Sequence, residues 1–221
     1  MAMTADYAFS GKVAPAAARA KVPQGMGTIL EQASDDALLN LVGAGDQKAC
    51  EVLMRRHLGR TLAVARRMLG NGADAEEIAQ EVFLRVWTHA GRWEPGKAAL
   101  STWLHRVAMN LCLDRLRRKG MVDIDAIPEP VSEEPGPHEN LERSDLARQI
   151  DVALQALPAR QRAAITLVHY QGLSNIEAAG ILEVTVEAVE SLLARGRRQL
   201  KIALAEEASS LHIGVRSGRS E

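Results

Sequence analysis

From about residue 34 onward, apolar side chains recur every three or four positions rather than every second one, the spacing that lines one face of a helix. Ala37, Leu38, Leu41 and Val42 form a short first stripe behind Ser34, whose hydroxyl can cap it. Gly43 and Gly45 break that helix, and Asp46 caps a longer one over about 47–69, with Leu53, Leu58, Leu62, Ala65 and Leu69 along one side. Gly70-Asn71-Gly72 is a stop and a turn. The next helix is expected to start at Asp74, with Ile78, Val82, Phe83 and Val86 inward. A loop containing Pro95-Gly96 spans 91–98, and Ser101 can cap a helix whose core face is Leu104, Val107, Ala108, Leu111 and Leu116.

Periodicity is missing on either side of this block. Residues 1–33 read as a flexible tail, and 34–119 as a compact helical domain. Residues 120–140 hold Pro128, Pro130, Pro135 and Pro137 with few apolar side chains, so they read as a flexible acidic linker. The helical pattern resumes over 141–206, first through Leu146, Ile150, Ala153, Leu154 and Leu157, then through a helix opened by Pro158 that runs to about Tyr170. Residues 207–221 are expected to fray. The fold class is therefore all-α, with two small helical domains. Only 3% of residues are aromatic, which disfavours sheets, and 47% are hydrophobic, enough for packed cores.

Gly172 to Leu200 carries the sharpest local signal. Ser174 and Glu177 make a capping box for a short helix expected to face Ile176, Ala179, Ile181 and Leu182 inward. Glu183-Val184 breaks it, and Thr185 caps a second helix. There Val186, Val189, Leu193 and Leu200 share one face, while Glu187, Ser191, Arg195 and Arg198 share the other. Two short helices with a tight break, the second amphipathic and basic, form a helix-turn-helix. In a major groove Arg reads guanine bidentately and Glu accepts from cytosine, while Arg197 and Lys201 suit phosphates. An ordinary helical hairpin with a solvated Arg face is the alternative.

The net charge of −1 hides a segregated distribution. Ser101 to Gly120 sets Arg106, Arg115, Arg117, Arg118 and Lys119 against Asp114 alone, whereas Met121 to Asp145 is strongly acidic. Trp87, Trp93 and Trp103 gather near the first basic helix, a combination suited to single-stranded nucleic acid. Trp87 and Trp103 read as core, and Trp93 as the exposed ring. Asp74, Glu77 and Glu81 give the preceding helix an acidic face.

Catalytic and cofactor chemistry find no support. The six histidines are scattered, neither Cys50 nor Cys112 sits at metal-ligand spacing with them, and no glycine cluster cradles a phosphate. No cofactor or metal is expected, and both cysteines read as reduced core thiols of a cytoplasmic protein. No apolar run is long enough for membrane insertion.

The segments DAEEIAQEVFLRVW and STWLHRVAMNLCLDRLRRKG, followed by LPARQRAAITL, GLSNIEAAGIL and VEAVESLLARGRRQL, resemble the extracytoplasmic-function (ECF) sigma factors of the sigma-70 family over about Asp35 to Ala205. The first pair is similar to sigma region two and the rest to region four. The resemblance implies a non-enzymatic polymerase subunit that recognises and melts promoters, of a stress-response regulon in many relatives. It implies that Asp74, Glu77, Gln80, Glu81 and Phe83 dock on the clamp helices of the largest subunit of core RNA polymerase, with region four meeting the flap of the second-largest. Trp93, Lys97, Ser101, Trp103, Arg106, Asn110, Arg115, Arg117 and Arg118 would melt and read the downstream element on the non-template strand. Ser174, Thr185, Glu187, Glu190, Ser191, Arg195, Arg197 and Arg198 would read the upstream element as duplex. An anti-sigma factor is a further implied partner. Ala188, Glu190 and Leu192 depart from the usual recognition helix, so the promoter read is its own. A conventional helix-turn-helix regulator acting on duplex DNA alone is the rival reading.

Overall fold

The computed structural model describes residues 30–120 and 145–216, with side chains over 30–120 and 149–205; the expectations for residues up to 29, for the acidic segment 121–144 and for 217–221 fall outside them. After a helical turn at 30–32 come α1 (Asp35–Gly43), α2 (Gln47–Leu69), α3 (Gly72–His89), a 3-10 turn (Ala90–Arg92) and α4 (Leu100–Arg118). The second unit comprises α5 (Asp145–Gln155), α6 (Ala159–Ile165), a single π-type turn (Thr166–Tyr170), α7 (Asn175–Leu182) and α8 (Val186–Arg216). The described residues contain helices and no strands, as the periodicity predicts.

Local chemistry sets most boundaries. The Ser34 hydroxyl accepts from the Ala37 amide at 3.2 Å, and Asp46 Oδ1 accepts from the Lys48 and Ala49 amides at 2.8 and 3.1 Å. Gly70 ends α2 in the left-handed region at φ 69°. Two starts differ from expectation. Asn71 Oδ1 accepts from the Asp74 amide at 3.1 Å, so α3 begins at Gly72, with Asp74 inside its first turn. In α4 the capping position is Ala99, which offers no side-chain acceptor, and Ser101 lies within the helix. Among the described residues, helix extends past two of the expected boundaries. Leu30 is buried, so packing begins before residue 34, and α8 runs on to Arg216 through a stretch rich in helix-forming Ala, Glu and Leu.

In the first unit α2 is central, packed by α1, α3 and α4. Leu38, Leu53, Val64, Met68, Val82, Val86, Met109 and Cys112 are nearly inaccessible there; full burial of each large apolar side chain contributes about 1.5–3 kcal/mol. Burial pushes the Cys112 thiol up to about 12, which keeps it protonated and inert, while Cys50 is only half-buried. Gly43 does more than break α1: a Cβ there would lie 2.9 Å from the Gly91 Cα, so the crossing of α1 and the 3-10 turn requires glycine.

The second unit closes around Leu154, Leu157, Ala163, Ile165, Leu167, Ile181, Val189 and Leu193. Ile176, expected inside, is 73% exposed; Ala178 takes the buried place on that turn. The two units are in contact. Arg162 is buried and donates through Nη1 to Met68 O at 2.5 Å, a carbonyl of the last turn of α2, and through Nη2 to Gln155 O and Leu157 O of its own unit. Gln155 Nε2 donates to Arg67 O at 2.7 Å. Side chains from the second unit thus satisfy carbonyls that the end of α2 leaves unpaired, and the cation lies at the negative end of the helix dipole. Burial pulls the Arg162 guanidinium down to about 10, so it stays charged at neutral pH.

Candidate nucleic-acid and polymerase interfaces

Three surfaces correspond to the three motifs. The first is the outer face of α3. Glu77 and Gln80 are exposed, and Glu81 is half-buried. The carboxylates are tied into the fold's own cations. Arg115 reaches Glu77 Oε2 at 2.5 Å and Asp74 Oδ1 at 3.3 Å, Lys119 reaches Asp74 Oδ2 at 2.7 Å, and Arg85 reaches Glu81 at 2.9 Å. Phe83 does not belong to this surface: it is 5% exposed, because its position in the helix turns it with Val82 and Val86 into the core. The apolar side chains that α3 does present are Leu84, 57% exposed, and Trp87. Leu84 was legible as an apolar residue off the buried stripe, two positions after Val82.

The second surface joins the loop after α3 to α4. Trp93 is not the exposed ring expected. Its Nε1 donates to Asp36 Oδ1 at 2.8 Å, and it packs edge-on to Trp103 with centroids 6.3 Å apart. Trp87 is the most exposed of the three, since the turn at 90–92 folds Trp93 back toward α1. Lys97 is exposed beside Glu94, and Ser101 and Trp103 are half-buried. Along α4, Arg106, Asn110, Arg117 and Arg118 lie on the solvent side. Arg117 pairs with Asp114 at 2.8 Å, and Arg106 with Glu183 of the second unit at 2.6 Å. Arg115 faces α3 instead, where Asp74 and Glu77 hold it.

The third surface is the helix-turn-helix. Ser174 Oγ accepts from the Glu177 amide at 3.2 Å while the Glu177 carboxylate accepts from the Ser174 amide at 2.8 Å, so the capping box forms in full. Those bonds hold the Glu177 carboxyl below its usual range. Glu183 makes the break, in the left-handed region at φ 56°. Thr185 Oγ1 accepts from the Ala188 amide at 3.2 Å and starts α8. Glu187, Glu190, Ser191, Arg195 and Arg198 are all exposed, while Val189, Leu192 and Leu193 face the core. Leu192 is thus a packing residue and not part of the polar face. The Glu187 carboxyl is held below its usual range by its own amide and the Thr185 hydroxyl. Arg197 Nε lies 3.2 Å from His169 Nε2, which orients that guanidinium. Ser174 and Thr185 spend their hydroxyls on capping.

Among the described residues no group of three His, Cys, Asp or Glu side chains is placed to hold a metal, and no helix is long and apolar enough to cross a membrane.

This arrangement has relatives. Sigma-70 region 2 matches residues 53–121, and Sigma-70 region 4 matches residues 147–200. The chain is 38% identical over 172 residues to the ECF RNA polymerase sigma factor SigE of Mycolicibacterium smegmatis, a match covering 75% of this chain and 66% of that protein. It is 36% identical to the ECF factor SigM of Mycobacterium tuberculosis, covering 76% of this chain and 83% of that one. It is 33% identical to the ECF sigma-E factor of Escherichia coli K12, covering 77% and 94%. Among solved structures, CnrH in complex with the cytosolic domain of CnrY superposes with a TM-score of 0.57 at 28% identity, covering 78% of this chain and 97% of that one. RpoE in complex with the anti-sigma factor NepR, from Bartonella quintana, gives 0.56 at 25% identity, covering 70% and 96%. Two matched regions in sigma order, each carrying its motif on the helices described above, place the chain in the ECF sigma factors of the sigma-70 family.

Proposed function

We propose that this chain joins core RNA polymerase in the cytoplasm and directs it to a specific set of promoters, reading the upstream element as duplex through α8 and melting the downstream element through α4 and the loop before it. The observation that carries this reading is the exposed polar face of α8, with Glu187, Glu190, Ser191, Arg195 and Arg198 on one side of a capped helix-turn-helix, in the same chain as a region-two unit. Arg and Ser at that position can donate to base edges in a major groove, and Arg197, held by His169, suits a phosphate.

The α3 face supplies a polymerase-docking surface, in which Glu77, Gln80 and Glu81 meet a basic partner and exposed Leu84 adds an apolar contact. Docking on the clamp helices of the largest subunit, with region four against the flap of the second-largest, follows from the family. The solved relatives bound to CnrY and to NepR support an anti-sigma partner here as well. Chemistry on nucleotides belongs to the polymerase in this reading; the sigma chain contributes binding energy and geometry.

Gel shift on promoter DNA with and without core polymerase tests the reading, followed by run-off transcription on genomic fragments. Specific retention that needs core polymerase, and transcripts with new defined start sites, are expected. Tight operator binding by the chain alone would favour a conventional regulator instead.

A further inference from the structure

A loop that receives an unpaired strand binds more tightly when its shape exists beforehand, because ordering it on contact costs affinity. The tip of the loop before α4 is in water: Glu94 to Ala99 are exposed, and Gly96 turns it at φ 79°. Its root is held from several sides. Trp93, at the head of the loop, donates from Nε1 to Asp36 Oδ1 of α1 at 2.8 Å, and its amide donates to Ala90 O at 3.1 Å. Its ring meets Trp103 of α4 edge-on, and Trp103 also faces the His89 ring at the end of α3, with centroids 6.2 Å apart. Leu100 closes the far end of the loop and is buried.

Within this root the Asp36 bond supplies direction. Ring packing tolerates small slides, whereas a hydrogen bond fixes where the indole edge points. The indole nitrogen is a donor only, so one well-placed acceptor satisfies it. Asp36 lies in the first turn of α1, where the helix dipole favours a carboxylate. Turned onto the indole, that carboxylate serves the loop from within the fold, where it need not meet the phosphates of a bound strand. The close approach of Gly43 and Gly91 seats α1 against the turn from which the loop departs. No residue of α1 has a part in reading DNA or docking polymerase in the function proposed above, yet α1 sets the head of the loop that does the reading.

We propose that Asp36 is a positioning residue for promoter opening: through the Trp93 indole it holds the loop over 93–99 in the shape that receives the unpaired downstream strand. Asp36 acts through Trp93 and does not touch the DNA. The inference rests on the sigma reading for the strand that is received; the anchor between Asp36 and Trp93 does not.

The test uses the full chain, first free and then joined to core polymerase. In the free chain the Trp93 indole proton, identified by its absence from Trp93→Phe, should exchange slowly with solvent. Asp36→Ala should make it exchange freely, and Asp36→Asn, which keeps an acceptor oxygen, should restore protection. Equal exchange in wild type and Asp36→Ala would overturn the anchor. The polymerase complex is then titrated with a single-stranded oligonucleotide carrying the downstream element mapped from wild-type start sites. Asp36→Ala and Trp93→Phe should each weaken its binding about tenfold, the loss of one hydrogen bond to a charged group. The double variant should be no weaker than either single one, and Asp36→Asn should recover most of the loss. Affinity for core polymerase and for duplex carrying only the upstream element should stay at the wild-type level. Unchanged binding of the single strand, or an equal loss of core polymerase binding, would overturn the positioning role. A wild-type complex that passes over the single strand would overturn the sigma reading and this role with it, while the indole proton still reports the anchor.

Discussion

His105 shows how much a single side chain records about its surroundings. It sits on α4 under Gln171, and its Nδ1 has no partner. Burial is the largest influence and lowers its pKa; Gln171 opposes it in part, and the nearby Arg60 and His57 add smaller pushes in the direction of burial. The unfolded chain therefore binds a proton more readily than the folded one, so stability is lost as pH falls through the unfolded value of about 6.5. Melting temperature should drop between pH 8 and pH 5, and His105→Leu should flatten that slope. Ser174 makes a different prediction at the same scale. Its hydroxyl closes the capping box with Glu177, so Ser174→Ala should cost about 1 kcal/mol. For a chain of this size that is about 2–4 °C in a thermal melt. Gly43→Ala should cost about 1–3 kcal/mol, because the atom opposing the new methyl is the Gly91 backbone, which has no rotamer to yield.

Among the elements, α3 and α8 divide the functional work. On α3, Leu84→Glu should weaken association with core polymerase by about 2 kcal/mol, roughly thirtyfold, as measured by competition for core enzyme, with no loss of helicity. Reversing Glu77 would be a poorer probe, since it also sets a cation against Arg115, which would keep only Asp74. On α8, Arg195→Ala should weaken upstream-element recognition while leaving core binding intact; joint loss would remove α8 from that role. The elements themselves were largely legible in the sequence, because capping is local. Ser34, Asp46, Ser174 and Thr185 act within three residues of themselves, and all four cap as expected. Asn71 was hidden inside a run that reads as a turn, and α4 has no side-chain cap to find. Orientation around a helix was harder to read. Ile176 and Phe83 fit their stripes equally well, yet one is in water and the other in the core, because a neighbouring helix rather than the helix's own period decides which edge of a stripe is covered. Trp93 depends on Asp36, 57 positions away, and no local pattern reports that bond.

At the scale of the molecule, the sequence reads as two separate domains, whereas one contiguous set of buried residues runs through both units. That continuity is carried by Arg162, whose link to Met68 spans 94 positions. The join has a wet part and a dry part. The Arg106 and Glu183 side chains are 50% and 64% exposed, so their attraction is screened by salt and worth at most about 1 kcal/mol. Arg162 and its carbonyl partner are buried, where added salt does not reach. The wild-type chain should therefore unfold in a single calorimetric transition. Raising salt to 1 M, where the screening length is about 3 Å, should leave that transition single, because only the exposed pair is lost. In the Gln155→Ala, Glu183→Lys chain the dry part is also weakened, so the same scan should broaden or split into two transitions, one for each helical unit. Two transitions in the wild type at low salt would mean that the shared core does not couple the units, and that Arg162 serves its own unit alone.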